Sequence, residues 1–149
     1  MALVERVHKD LTAAMKEKHP LRLSVLRMMK SALQLKQSES GEAVTEESAQ
    51  AVLRTLLKQR REAAQVFREA GRGDLADREL AEASIIESYL PEPASEAEME
   101  AAVSEAISET GASKAADLGK VMKAAMARLA GKTVDGKRLS GIARGKLGA

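Results

Sequence analysis

The segment Tyr89-Leu90-Pro91-Glu92-Pro93 constrains this chain most. Two prolines one residue apart cannot lie inside a helix, since each lacks an amide hydrogen and its ring collides with the preceding turn. They stand between long stretches that otherwise read as helix. The chain must therefore build two helical parts, residues 1–90 and residues 94–149. Its 149 residues match roughly one average domain of about 150, a length that a proline-marked joint can divide into two small units.

Helices are the expectation almost everywhere. Leu3, Val7, Leu11 and Met15 recur at every fourth position and form one stripe of a first helix. Pro20 suits the first position of a second helix over residues 20–37, with Val25, Met29, Ala32 and Leu33 inward. Thr45 can cap a third helix over residues 46–70, which Gly71-Arg72-Gly73 ends; Asp74 then caps a fourth that reaches position 89. Beyond the prolines, Ser95-Glu96-Ala97-Glu98 is a capping box, in which the Ser hydroxyl and the Glu carboxylate each satisfy a free amide. It opens a fifth helix to about residue 110. A sixth spans residues 114–130, and Asp135 caps a last one to about residue 147. No segment alternates with period two, so the expected fold class is all-α without a sheet.

Composition agrees. With one Phe and one Tyr, the core must come from Leu, Val, Ile, Met and many alanines, which is how packed helices are made. Zero cysteines exclude disulfides, thiolate catalysis and cysteine-based metal sites. A cytoplasmic setting is expected. Charges at Glu5 and Arg6 interrupt any signal-peptide core, and no run approaches the roughly 18 uncharged residues of a membrane span. His8 and His19 lack partners at ligand spacing, so no metal is expected. Neither a Walker-type phosphate loop, nor a dinucleotide fingerprint, nor a Gly-x-Ser-x-Gly elbow occurs; no catalytic residue and no cofactor is expected.

Charge is distributed unevenly. Residues 1–38 hold eight Lys or Arg and three Asp or Glu, residues 39–110 hold seven and 17, and residues 111–149 hold nine and two. The tail cations are Lys114, Lys120, Lys123, Arg128, Lys132, Lys137, Arg138, Arg144 and Lys146. A basic tail points to a polyanion, because Lys and Arg gain affinity by displacing counterions condensed on phosphate chains. Docking of the tail on the acidic middle segment would use the same charges. Lys120 and Lys123 stand beside Ala124 and Ala127 on the outward face of the sixth helix, a smooth surface suited to a phosphate backbone; Leu118, Val121, Met122, Ala125 and Leu129 turn inward. Scarce aromatics argue against a single-strand binder that works by base stacking.

At about 100° per residue, Arg60 falls within the apolar face of the third helix (Leu53, Leu56, Ala63, Phe67). Glu79 and Glu82 fall within that of the fourth (Leu75, Ala83, Ile86, Leu90). An unpaired charge facing a core costs too much, so Arg60 is expected to pair with Glu79, Glu82 or both. Arg54, Lys58, Arg61, Gln65, Arg68 and Arg72 form a stripe on the opposite face, either an interaction surface or a solvated, locally compensated one.

Taken in order, Lys58-Gln59-Arg60-Arg61-Glu62-Ala63, Ala70-Gly71-Arg72-Gly73-Asp74-Leu75-Ala76, Glu79, Glu82, Tyr89-Leu90-Pro91 and Asp117-Leu118-Gly119-Lys120-Val121-Met122-Lys123 resemble the YqeY-like family. The C-terminal part is similar to the tail of GatB, the B subunit of the tRNA-dependent amidotransferase. The resemblance implies a four-helix N-terminal domain and a three-helix tail-like domain. In the amidotransferase that tail helps hold the tRNA body, which implies tRNA or another structured RNA as partner, with Lys120 and Lys123 as phosphate contacts. The family label would be a carbon-nitrogen ligase with glutamine as amido donor. The amidotransferase's kinase-like cradle and glutaminase subunit have no counterpart in these residues, so catalysis by this chain alone is not expected. Two further readings stay open: a factor associated with the amidotransferase or another translation-related protein, and a helical protein-binding adaptor.

Overall fold

The computed structural model describes residues 2–148. Seven α-helices follow in order: α1 Leu3–Glu17, α2 Pro20–Ser40, α3 Glu46–Glu69, α4 Gly73–Glu87, α5 Glu96–Thr110, α6 Leu118–Arg128 and α7 Gly136–Lys146, with a 3-10 turn at Ala115–Asp117 before α6. No strand occurs among the described residues. The chain divides into two compact units, Met1–Leu90 and Pro91–Ala149.

Local chemistry sets the helix ends. Pro20 opens α2, and Thr45 and Ser95 start α3 and α5 as capping boxes with Ser48 and Glu98. Asp135 accepts from the amides of Lys137 and Arg138 at the start of α7. Gly111, at φ 68°, closes α5 in the left-handed conformation that glycine adopts without a Cβ penalty. Asp74 does not cap α4. That helix begins one residue earlier, and the Asp74 carboxylate instead takes the Arg72 guanidinium at 3.2 Å, which holds its pKa below the usual carboxylate range. The sixth helix starts four residues later than expected, because the Asp117 carboxylate accepts from the amides of Ser113 and Lys114 and folds residues 115–117 into the tighter turn.

The first unit packs the α1–α2 hairpin against α3 and α4 around Leu3, Val7, Leu11, Ala14, Val25, Leu26, Met29, Leu33, Leu53 and Ile86. Met15 is 55% exposed, and Ala14 takes the inward place. Steps of four residues drift by about 40° each, so three of them carry position 15 about 120° from Leu3 while position 14 lies only about 20° away. The Glu46 carboxylate accepts the amide of Leu3 at 3.0 Å, which ties the start of α1 to the start of α3. On α3 the deepest residues are Ala49, Leu53 and Leu57 with Ala64, while Leu56, Ala63 and Phe67 are half-buried.

The second unit packs α5, α6 and α7 around Met99, Val103, Ala106, Val121, Ala125, Leu129, Leu139 and Ile142. Ala124, expected to face outward, packs partly against this core. Thr133 clasps the segment that enters α5. Its hydroxyl donates to the Pro91 carbonyl at 2.8 Å, its amide donates to the Glu92 carbonyl at 3.0 Å, and its carbonyl accepts from the Ala94 amide at 2.8 Å.

On the other side of Leu90, Tyr89 is anchored within the first unit. It is 3% exposed, its hydroxyl donates to Asp10, Arg22 approaches the same oxygen at 3.4 Å, and the Arg6 guanidinium lies 5.0 Å from the ring centre. Burial, then the hydrogen bond and charge of Asp10, push the phenol up to about 12. A phenol held above its unfolded value stabilises the fold fully below about pH 10, and that contribution disappears as pH climbs toward about 12. Tyr89 is the sole tyrosine, so absorbance at tyrosinate wavelengths reads it alone. The native protein is expected to titrate near pH 12 and the urea-unfolded protein near 10; coincident curves would contradict the buried phenol.

Candidate nucleic-acid interface

The tail cations fall into two groups. Arg128, at the end of α6, reaches Glu105 at 2.8 Å and Glu109 at 3.0 Å on α5. Lys132 pairs with Glu98, an interaction that raises the lysine's pKa and lowers the carboxyl's. Arg138 pairs with Glu96. These three therefore serve α5, which carries most of the acids of its own unit. Lys114, Lys120, Lys123, Lys137, Arg144 and Lys146 are exposed and take part in no ion pair among the described residues. Asp117 moderates the field near Lys120 and Lys114; its carboxyl is held low first by the Ser113 amide, then by the Lys114 amide and the two lysine charges.

Helical geometry explains the division. On α6, Val121 and Ala125 are buried, and Arg128 lies about 20° from Val121 around the axis, on the flank that α5 covers. Lys120 and Lys123 lie about 100° and about 160° away from that core direction, where no neighbouring helix supplies a carboxylate. On α7, Lys137 and Arg144 are seven residues apart and share one outward face, while Arg138 is turned toward Glu96.

In the first unit, Arg60 Nη1 lies 3.3 Å from Glu79 and 3.6 Å from Glu82 across the α3–α4 seam, and Arg78 adds a contact to Glu82 at 3.8 Å. Glu82 is the buried member, and Arg60 Nε and Glu79 Oε2 have no hydrogen-bond partner; the contact is charge pairing without a full bidentate fork. The basic stripe that runs along α3 to Arg72 is compensated at four of its five cations, all but Arg54. Lys58 pairs with Glu62 at 3.8 Å, Arg61 with Glu87 at 2.9 Å, Arg68 with Asp77 at 3.8 Å and Arg72 with Asp74 at 3.2 Å, while Arg54 bonds Gln50. Of the two readings open for that stripe, the geometry matches the solvated one.

Sequence reasoning passed over the first hairpin. Arg6, Lys9, Lys16, Arg27 and Lys30 join no ion pair among the described residues, and the excess of cations in residues 1–38 was the available signal. His19 sits beside Glu17 at 4.0 Å, and His8 lines a cleft of about 430 Å³ between the start of α1, α2 and Val44. Among the described residues no three His, Asp or Glu side chains gather at metal-ligand spacing.

A family model described as Yqey-like protein matches residues 4–147. The chain belongs to the YqeY-like family. One YqeY-like relative, named altered inheritance of mitochondria protein 41, mitochondrial, from Lachancea thermotolerans (strain ATCC 56472 / CBS 6340 / NRRL Y-8284), is 34% identical over 109 residues. The match covers 71% of this chain and 58% of the relative, so the chain spans little more than half of that protein's length. In this YqeY-like chain no described helix is long and apolar enough to cross a membrane.

Replacing Arg60 with Met leaves Glu79 and Glu82, side by side on α4, at a half-buried seam without their shared cation. The expected loss is about 2 kcal/mol, less than for a fully buried pair because solvent reaches the site. Thermal unfolding should then drop by on the order of 10 °C. An unchanged melting curve would show that the pair contributes nothing to stability.

Proposed function

We propose that this YqeY-like protein is a non-catalytic accessory protein that binds tRNA or another structured RNA. In this reading residues 94–149 act as a tail-like domain, residues 1–90 form the helical N-terminal domain, and the protein works in the cytoplasm without a cofactor. The observation that carries it is the set of exposed cations on α6 and α7, with Lys114, that α5 leaves without carboxylates.

The chemistry fits phosphate contact. Both aromatics, Phe67 and Tyr89, belong to the first unit, so the second has no ring on which an unpaired base could stack. Lysines on rigid helices present point charges to a backbone whose counterions they release. Contact to phosphates positions a partner without reading its sequence, which suits the shape of a folded RNA. A glutamine-dependent carbon-nitrogen ligase would need a nucleophile that releases ammonia from glutamine, and the chain has no cysteine to serve as one. The relative's mitochondrial name belongs to that protein and does not transfer a compartment.

Binding of a tRNA measured by fluorescence anisotropy tests the reading. About five phosphate contacts would cost roughly 10²- to 10³-fold in affinity between 50 and 200 mM salt. Lys120→Glu combined with Lys123→Glu should weaken binding at least tenfold at 50 mM salt and leave the melting curve unchanged. Binding indifferent to both salt and the double reversal would end this proposal.

A further inference from the structure

The first unit carries an electropositive surface of its own. On α1, Lys9 and Lys16, both exposed, lie within about 20° of arc and stand about 10 Å apart along the axis, while half-buried Arg6 is engaged over the Tyr89 ring. Ala13, exposed between them on the same flank, leaves the row unobstructed.

The carboxylates that could neutralise the row are otherwise engaged. Asp10 accepts from the Tyr89 hydroxyl and lies 3.6 Å from Arg22, and Glu17 is beside His19. Glu5, one turn before Lys9, comes within 4.0 Å of no described cation; its charge moderates the local potential without closing on a lysine. On α2, exposed Arg27 and half-buried Lys30 are likewise unpaired among the described residues. The contrast within one unit is clear, since Lys58, Arg61 and Arg68 on α3 and Arg72 just beyond it each have a carboxylate.

From this charge complementarity we infer that α1, through Lys9 and Lys16, is a second contact surface for the phosphate backbone of the same structured RNA that the tail cations hold. The inference rests on the reading of the tail given above and adds a site on the other unit. A straight row of cations on a rigid helix matches a continuous line of phosphates. Protein partners are anchored by buried aromatic or aliphatic side chains at the centre of the patch, and this flank offers only the methyl of Ala13. Two modest surfaces joined in one chain gain affinity because the second binding event is intramolecular.

The test uses the full chain and a tRNA, at 50 and 200 mM salt. Lys9→Glu with Lys16→Glu should weaken binding at least tenfold at 50 mM and flatten the plot of log affinity against log salt by about two units, one for each lost phosphate contact. Lys58→Glu, placed on the compensated α3 stripe, should change affinity less than twofold. If the α1 variant melts below wild type, Lys9→Gln with Lys16→Gln removes the charges with less perturbation, and its loss of affinity is then the deciding value. Wild-type affinity and slope in the α1 variant, beside a weakened Lys120→Glu/Lys123→Glu protein, would refute the second surface and leave the tail reading standing. If neither double variant altered binding, both would fall. An equal loss in Lys58→Glu would show dependence on net charge alone and would also overturn the inference.

Discussion

Both cores depend on helices approaching closely enough for alanine to fill the space between them. Ala14, Ala49, Ala64, Ala76 and Ala83 are buried in the first unit, and Ala102, Ala106, Ala125 and Ala143 in the second. Small side chains at the contacts favour the short end of the usual 8 to 10 Å range of interaxial distances, roughly, and such packing gives each helix a narrow buried face. The rest of every helix is left for charged residues, and tertiary neighbours decide whether those charges are neutralised. At the α3–α4 seam they are, because Arg60 emerges where Glu79 and Glu82 converge.

Placement of the acids then sorts the cations. Most carboxylates belong to α3, α4 and α5, so most of the paired basic residues face those helices, and Lys120, Lys123, Lys9 and Lys16, which do not, are unpaired among the described residues. Arg128 and Lys123 sit on one short helix and have opposite circumstances, because one points at Glu105 and Glu109 while the other points into solvent. The same rule separates Arg60, Arg61 and Arg68 of α3 from the lysines of α1. Segmental net charge gave the sign of each region, while the pairing depended on which helix came to lie beside which.

Much of the helical layout was legible because its signals are local. Pro20, Thr45, Ser95, Gly111 and Asp135 mark helix ends through contacts reaching no more than four residues. The meeting of Arg60 with two glutamates could be argued from helical phase, since all three interrupt apolar faces. The misplaced details have physical causes of equal clarity. A strict four-residue repeat drifts around a 3.6-residue helix, so Met15 left the core; Asp74 found a guanidinium that competed with the expected capping, and Asp117 took two amides that tightened the turn before α6. Tyr89 with Asp10, 79 residues apart, and Thr133 with Pro91, 42 apart, have no local signature at all.

Thr133 has a practical consequence for dissecting the chain. Its amide, carbonyl and hydroxyl are all engaged with residues 91–94, so this short proline-rich stretch is a built-in part of the C-terminal unit, although it reads as a spacer. A recombinant fragment begun at Ala94 would amputate the acceptors at Pro91 and Glu92 and strand two donors of one threonine. An autonomous version of the tail starts at Pro91.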